Sequence, residues 1–494
     1  MAQDTQTTTV GQLPTPDATN ARIPALLTRA VWFLWLLSCG ALLAVLSIGD
    51  SLDVAGIVRV DGLTVLMWLA VTFFSGIVHS YSRRYMAGDQ HLNHFFGRVF
   101  AFTLIVMGLV AANNFVVFWV AWLAMGLVMA DLIGHVDEWP QAQAAASLAR
   151  RYFLASSATL AIALATLWYH TGVTSISGLT STADTTSTVL LFVAGALLLA
   201  AMIQSALLPF QTWLLSSMTA PTPASALMHA GFVNAGGILL TRFGPVVTVD
   251  PGVMLAIVLV GAASALGGKL LKTVQTDIKR TLGCSTVGQM GFMIMQAGLG
   301  FFGAAITHLI LHGFYKAYQF LASGSRVAHE SPTKSNATGS PGLVGIAVVL
   351  ATALVGGGLF AVLTGKGTAL DSGLLLTLFV VLMVVHAARQ VVTRTALPTT
   401  IRYGGVPLVA LPALALYALV YRAVEGLLAG LPAVGHSVEL TVIHGLVAAV
   451  FVTAYIAIET GLYRHSKRLY VTLLNASQPP SETVLTSTEE YNEY

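Results

Sequence analysis

The chain has 494 residues, of which 56% are hydrophobic and 9% are charged, and its formal net charge is +3. Because about a quarter of the residues in soluble domains are charged, this composition excludes a soluble globular protein and indicates a polytopic membrane protein. The basic residues are dispersed, so no nucleic-acid partner is expected. The two cysteines, Cys39 and Cys284, lie far apart and offer neither a disulfide framework nor a metal-binding CxxC motif.

Fourteen hydrophobic runs are long enough to cross a bilayer, which takes about 20 residues per helix. They lie near residues 27–49, 62–82, 95–112, 115–135, 152–170, 188–218, 221–243, 252–274, 278–299, 302–324, 342–366, 372–393, 404–428 and 438–462. The predicted fold is therefore all-α, with about 14 transmembrane helices. The polar stretches at the two ends lack the apolar core of a signal peptide, and we expect them to be flexible tails.

The basic residues alternate between the two sides of the predicted membrane domain. Of 24 Lys and Arg residues, 19 fall on the side of the N-terminus, and three, Lys316, Lys366 and Arg422, fall within spans. Only Arg59 and Arg242 fall on the opposite side. Since basic loops stay in the cytoplasm, we expect both termini to be cytoplasmic.

Two units of five spans each have an interrupted fourth span, which predicts an inverted repeat. The first is broken at Pro209, where a helix loses a hydrogen bond, and Pro221 and Pro223 then begin a new helix. The second is broken around Gly357 and the polar residues 364–367. The predicted organisation is a cytoplasmic tail (1–25), N-terminal helices (26–93), the first repeat (94–243), the second repeat (252–394), C-terminal helices (400–465) and a cytoplasmic tail (466–494).

His308, His312 and Lys316 recur every four residues and should line one face of a helix. Imidazole exchanges its proton near neutral pH, so this face is a candidate proton path. Two histidines four residues apart can also bind zinc, but no Glu or Cys stands at ligand spacing, which disfavours a metal. Histidines that are simply hydrogen-bonded within the bundle are the remaining alternative. His229 is a further ionisable residue at mid-depth in an apolar span.

Several motifs carry a family resemblance, and they occur in the family's order. They are VDGLTVLMW from Val60, HSYSRRYM from His79, LPFQTWL from Leu208, PTPASALMHAGFVNAGG from Pro221, QTDIKRTLGCSTVGQMGF from Gln275 and HLILHGFYKAYQFLASGS from His308. The chain resembles the antiporter-type proton-channel subunits shared by respiratory complex I and the Mrp cation/proton antiporters. The resemblance implies that His229 is a proton-path histidine and Lys366 the exit-side lysine.

The chain departs from the family's pattern at two positions of the first repeat. Leu123, in WLAMGL, stands where the family has a membrane glutamate, and Gln204 stands where it has the lysine that pairs with that glutamate. We therefore expect the second repeat to conduct and the first not to do so in the usual way. Other polar residues could join the path. They are Gln204 itself, Lys269, His79, His386 and Asp131, which shares a predicted helix face with His135.

These departures make the chain most similar to the DabB type, the membrane subunits of bacterial inorganic-carbon uptake complexes. The resemblance implies a multi-pass protein of the bacterial inner membrane that is not itself an enzyme. Proton or sodium flow would drive one-way hydration of carbon dioxide in a soluble cytoplasmic partner, a carbonic-anhydrase-like (DabA-like) subunit. No cofactor is expected in this chain, and zinc is expected in the partner. The alternatives are a proton-pumping subunit of a quinone oxidoreductase, an Mrp-type antiporter and a purely structural subunit.

Overall fold

A computed structural model describes residues 22–49, 51–181, 187–324, 342–393, 397–434 and 437–483. Within these ranges the architecture is helical, as predicted. The first half of the chain forms α1 (Arg22–Ile48), α2 (Gly62–Tyr85), α3 (Leu92–Ala111), α4 (Phe115–Ile133), α5 (Pro140–Thr171), α6 (Thr188–Gln204), α7 (Thr212–Ser216), α8 (Thr222–Ala230), α9 (Ala235–Arg242) and α10 (Gly244–Val247). The second half forms α11 (Pro251–Thr273), α12 (Ile278–Gly298), α13 (Phe302–Leu321), α14 (Gly342–Thr364), α15 (Ser372–Val392), α16 (Thr399–Tyr403), α17 (Gly405–Leu428), α18 (Val442–Glu459) and α19 (Lys467–Ser477).

Each of the fourteen predicted runs contains at least one helix. In the described ranges, ten helical segments are long and apolar enough to cross a membrane, and α6 and most of α18 form two shorter apolar helices. The polar and charged side chains of α12 and α13 lower the hydropathy of these two helices. The chain is an all-α polytopic membrane protein, and the count of fourteen spans stays a prediction.

A short hairpin between α1 and α2 was not predicted. Its strands, β1 (Leu52–Val54) and β2 (Val58–Val60), pair antiparallel with Leu52 opposite Val60. Val58 forms a further bridge to Ala112, after α3. The hairpin thus covers one end of the helix bundle.

The loops between the helices lie at two ends of the bundle, as the hydrogen bonds between them indicate. At one end, Lys279 donates to the carbonyl oxygen of Ala220 at 3.1 Å, and Arg402 donates to that of Val392 at 2.8 Å. At the other end, the Ser372 hydroxyl donates to the carbonyl oxygen of Leu299 at 2.8 Å. The first end holds most of the described Lys and Arg residues, and we call it the basic end. This division agrees with the predicted alternation of the spans, and a cytoplasmic location of the basic end stays a prediction. Arg326, Lys334 and Arg394, which were assigned to it, lie outside the described residues.

The predicted break at Pro209 is confirmed. α6 ends at Gln204, and the helix resumes only with α7 at Thr212. Backbone groups freed by the break are bonded within the protein: the Trp213 indole donates to the carbonyl oxygen of Ile203 at 2.9 Å, and the Leu208 amide donates to Ser264 Oγ at 3.2 Å. Such bonding is what a membrane interior requires of non-helical backbone. Pro221 and Pro223 flank the first residue of α8, as predicted.

The predicted break at Gly357 is wrong. α14 runs without interruption from Gly342 to Thr364 and ends at the turn that contains Gly365 and Gly367, both with positive φ. Gly357 serves close packing instead, because a Cβ there would collide with the Val381 side chain on α15. An interruption that was not predicted lies in the next span of the first repeat, where a 3-10 turn, Phe232–Asn234, separates α8 from α9. The inverted repeat itself stays a prediction.

The prediction that about the last 25 residues form a flexible tail is wrong as far as Thr483, because much of the predicted tail region (466–494) is helical up to that residue. This region forms α19 and a 3-10 turn, Ser481–Thr483, on the basic end. Leu473 packs with Leu215, Leu271 and Cys284, and Gln211 donates to the carbonyl oxygen of Ala476 at 3.4 Å. Leu469 and Leu473, four residues apart, give α19 the apolar stripe that docks it. The predicted tail residues 1–21 and 484–494 lie outside the described residues.

Candidate functional site

The predicted row of ionisable side chains lies on α13, inside the bundle. His312 is 5% exposed and Lys316 is fully buried, whereas His308 is half-buried. The rings of His308 and His312 lie nearly parallel, with centroids 6.0 Å apart. Lys316 donates from Nζ to the carbonyl oxygen of Leu282 on α12 at 2.8 Å. The three groups therefore follow one helix face through the protein interior.

The histidines of this row keep unbonded ring nitrogens. Among the described residues, neither ring nitrogen of His312 nor Nε2 of His308 has a hydrogen-bond partner. Buried polar atoms are normally bonded, so each exception calls for an explanation. Simple hydrogen bonding within the bundle does not explain these nitrogens. They are available to accept and donate a proton.

His229 on α8 joins the row from a neighbouring helix. Its Nδ1 is 2.9 Å from the Thr286 hydroxyl oxygen on α12, and its ring stacks on Phe320 of α13 at 4.3 Å. Gly313 permits this close approach of the helices, because a Cβ there would lie only 3.0 Å from the carbonyl oxygen of Ala230. The interruption after Ala230 thus brings His229 against α13, within electrostatic range of both Lys316 and His312.

Lys366 does not point to the surface but forms an ion pair. It follows the end of α14, and its Nζ is 3.1 Å from Oε1 of Glu425 on α17. The Tyr421 hydroxyl donates to the same oxygen at 3.1 Å. Sequence reasoning missed Glu425, although a lone carboxylate near the end of an apolar span was a signal that could have identified it.

Lys269 and His386 come together from α11 and α15. The distance from Lys269 Nζ to His386 Nε2 is 3.3 Å, and Gln390 Nε2 lies 2.8 Å from the same ring nitrogen. Both residues are half-buried toward the basic end. They form a second polar group beside the row on α13.

His79 and Gln204 are buried in the N-terminal part of the bundle. His79 Nδ1 lies 2.8 Å from the carbonyl oxygen of Ser75, and Nε2 has no partner among the described residues. Gln204, the last residue of α6, is fully buried, and neither its amide oxygen nor its amide nitrogen is bonded in the described part of the chain. Leu123 on α4 is half-buried. That Leu123 and Gln204 face each other stays a prediction.

The shared helix face predicted for Asp131 and His135 is wrong. α4 ends at Ile133, and Gly134 caps it, so His135 lies beyond the helix. Asp131 forms an exposed ion pair with Arg150 at 2.7 Å, whereas His135 Nε2 lies 3.2 Å from Oδ2 of Asp89. Burial lowers the pKa of His135, and the Asp89 carboxylate partly opposes that effect. Both residues lie at the basic end and not in the interior row; Asp131 is at the surface, whereas His135 is buried at 2% exposure.

The geometry suits proton movement better than metal binding. In the described ranges, no three His, Cys, Asp or Glu side chains are grouped so that they could hold a metal ion. The interior row instead offers an amine and three imidazoles on adjacent faces of α8 and α13. Groups of this kind inside membrane helices mark ion pathways and proton relays.

Comparison with known proteins shows which family the chain belongs to. The family model described as "NADH:quinone oxidoreductase/Mrp antiporter, TM" matches residues 112–401, and the model "NADH-Ubiquinone oxidoreductase (complex I), chain 5 N-terminus" matches residues 45–96. The Mrp complex from Dietzia sp. DQ12-45-1b has a similar fold, with a TM-score of 0.61 at 23% identity over 92% of this chain and 57% of that chain.

Relatives at higher identity carry two kinds of name. The "probable inorganic carbon transporter subunit DabB1" of Halothiobacillus neapolitanus is 39% identical over 56% of this chain and 50% of its own length. The corresponding DabB of Bacillus subtilis is 41% identical over 56% of each chain. The NADH-quinone oxidoreductase subunit L of Mycobacterium tuberculosis is 38% identical over 54% of this chain and 43% of its own. The chain spans about half the length of these relatives. The predicted resemblance is confirmed, and the chain belongs to the NADH:quinone oxidoreductase/Mrp antiporter family of membrane proteins.

Proposed function

We propose that the chain is the ion-conducting membrane subunit of an inorganic-carbon uptake complex and that protons pass along α13. The observation that carries this proposal is the interior row of His308, His312 and Lys316, joined by His229 from α8. Keeping an ionisable group inside a membrane costs at least a few kcal/mol, so four such groups in one place argue for a use.

The close spacing of the row explains how it would relay a proton. A positive charge on one group disfavours a second charge on its neighbour, since like charges repel strongly in a poorly hydrated interior. The row therefore carries fewer positive charges than it has ionisable groups. A proton that enters at one group can move to the next, because the unbonded nitrogens of His308 and His312 can receive it.

The carbon-uptake role is supported by relatives that are named inorganic carbon transporter subunits. A single charge that crosses ~100 mV releases ~2.3 kcal/mol, which can drive a conformational cycle in a partner. We propose a soluble cytoplasmic partner that resembles a zinc carbonic anhydrase, in which ion flow makes hydration of carbon dioxide one-way. The membrane would be the bacterial inner membrane, with both termini cytoplasmic, and the coupling ion a proton or sodium.

A second candidate is a proton-pumping subunit of a quinone oxidoreductase or an Mrp-type antiporter. It is favoured by the 38% identity to an NADH-quinone oxidoreductase subunit L. Gln204 argues against it, because the position of the family's lysine is occupied by an uncharged amide that has no hydrogen-bond partner in the described part of the chain.

Inorganic-carbon uptake distinguishes the two candidates. The full chain, expressed with a DabA-like soluble subunit as the proposed partner, should let a bacterial strain without carbonic anhydrases grow in air. It should also accumulate labelled inorganic carbon until an uncoupler is added. The proposal fails if the pair gives no growth and no accumulation, and the second candidate gains if deletion of the chain lowers NADH-driven proton pumping.

A further inference from the structure

We propose that Glu425 is the carboxylate through which protons pass between α13 and the end of the bundle opposite the basic end, with Lys366 as its partner. This inference rests on the proposed conduction along α13 and adds a residue to that path. The distance from Lys366 Nζ to Glu425 Oε1 is 3.1 Å, and the two side chains are only 17% and 22% exposed. The pair is therefore held in place and yet reachable from outside the bundle.

The pair lies against the first turn of the helix that carries the row. A Cβ built on Gly303 of α13 would lie 3.5 Å from the Glu425 Cβ, and Lys366 Nζ lies 5.3 Å from the centre of the Phe301 ring. His308 comes five residues after Gly303, which is about 7.5 Å along a helix axis. Glu425 thus lies beside the first turn of α13, about 7.5 Å along the helix axis from His308.

Glu425 supplies a chemical group that the row lacks. It is the only Asp or Glu within the seven helices from α11 to α17. All the row's own groups are basic, so a proton that leaves His308 needs an acceptor at the exit. Proton transfer to Glu425 through intervening water would break an imidazolium N–H bond and form a carboxyl O–H bond. The neutral carboxyl group would then release Lys366 until the proton passes to water outside.

The alternative is a purely structural ion pair that fastens the turn after α14 to α17. The two roles predict different proton fluxes in the double variant Lys366→Gln with Glu425→Gln. A structural pair can be replaced by two neutral groups at little cost, because neither charge is then left buried and unpaired. A path that needs the carboxylate stays blocked in the double variant, even though the protein is stable.

Proton flux should be measured in membrane vesicles from cells that express the full chain with the proposed DabA-like partner. Variants are compared at equal membrane abundance. Glu439→Gln is the matched control, since Glu439 is an exposed carboxylate at the same end of the bundle. Glu425→Gln and the double variant should each lower the flux by about 100-fold or more, the lower end of the range for a positioned proton-transfer group. Glu439→Gln should conduct like the wild type, and Glu425→Asp should retain part of the flux.

Each possible result either supports or overturns the inference about Glu425. If the double variant restores wild-type flux, the pair is structural and the inference is overturned. The same holds if Glu425→Gln conducts normally. If Glu425→Gln is missing from the membrane, the double variant is compared with Lys366→Gln alone, and a double variant that conducts as well as Lys366→Gln overturns the inference. Absence of proton flux in the wild type would instead refute the proposed proton conduction along α13, on which this inference rests.

Discussion

Arg242 at the end of α9 and Asp61 before α2 form a buried ion pair at the end of the bundle opposite the basic end. Arg242 donates from Nη2 to Asp61 Oδ1 at 3.0 Å, and the two residues are 7% and 6% exposed. The same guanidinium donates to the carbonyl oxygen of Val110 at 2.6 Å. One side chain thus ties together α9, α2 and α3, which are distant in sequence.

Asp61→Asn should destabilise the protein strongly, because it leaves the Arg242 charge buried without its counter-ion. The expected loss is about 3–5 kcal/mol of unfolding free energy. Asp131→Asn is the matched control: it breaks an exposed ion pair with Arg150, at an expected cost of below about 1 kcal/mol. Thermal unfolding of the detergent-solubilised protein measures both. Equal losses of Tm in the two variants would show that the Asp61 pair is not a structural tie.

Leu473→Glu should detach α19 from the basic end, since Leu473 is 8% exposed and packs on Leu271 and Cys284. Detachment should make the buried thiol of Cys284 react with a maleimide in a Cys39→Ser background. Val471→Glu serves as the control, because Val471 lies on the outer face of α19 at 51% exposure. If Cys284 stays unreactive in the Leu473 variant, the docking of α19 does not protect this part of the bundle.

Gln204→Lys should lower membrane abundance, because an ammonium at this fully buried site must be desolvated at a cost of a few kcal/mol. Gln204→Met should be tolerated, since the amide has no hydrogen bond in the described part of the chain to lose. Adding Leu123→Glu to Gln204→Lys should recover part of the loss through pairing. A double-mutant cycle on abundance measures the coupling, and a value of zero would mean that the two positions do not face each other.

The helices and the interior row could be predicted from the sequence because both depend on local periodicity. The break at Pro209 was predictable for the same reason, since a proline cannot donate a helical hydrogen bond wherever it lies. The role of Gly357 was not predictable, because a glycine in an apolar run is compatible with a helix break or with close helix packing. Only the position of Val381 on the neighbouring helix decides between the two.

The residues that sequence reasoning missed depend on contacts between distant segments. Glu425 lies 59 positions from Lys366, and no motif connects them. The prediction that Asp131 and His135 share a helix face was wrong because α4 ends two residues earlier than predicted. His135 therefore lies beyond the helix, where it contacts Asp89. α19 looked like a polar tail because its apolar stripe is narrow, and its stability comes from the surface that it covers.

Proton flux in vesicles that contain His312→Gln is the most direct test of conduction along α13. Vesicles should come from cells that express the full chain with the proposed DabA-like partner, and fluxes should be compared at equal membrane abundance. His170→Gln is the control, since His170 is an exposed histidine at the end of α5, outside the row. His312→Gln should lower the flux by about 100-fold or more, the lower end of the range for a positioned proton-transfer group, while His170→Gln conducts like the wild type. Wild-type flux through the His312 variant would contradict the path along α13.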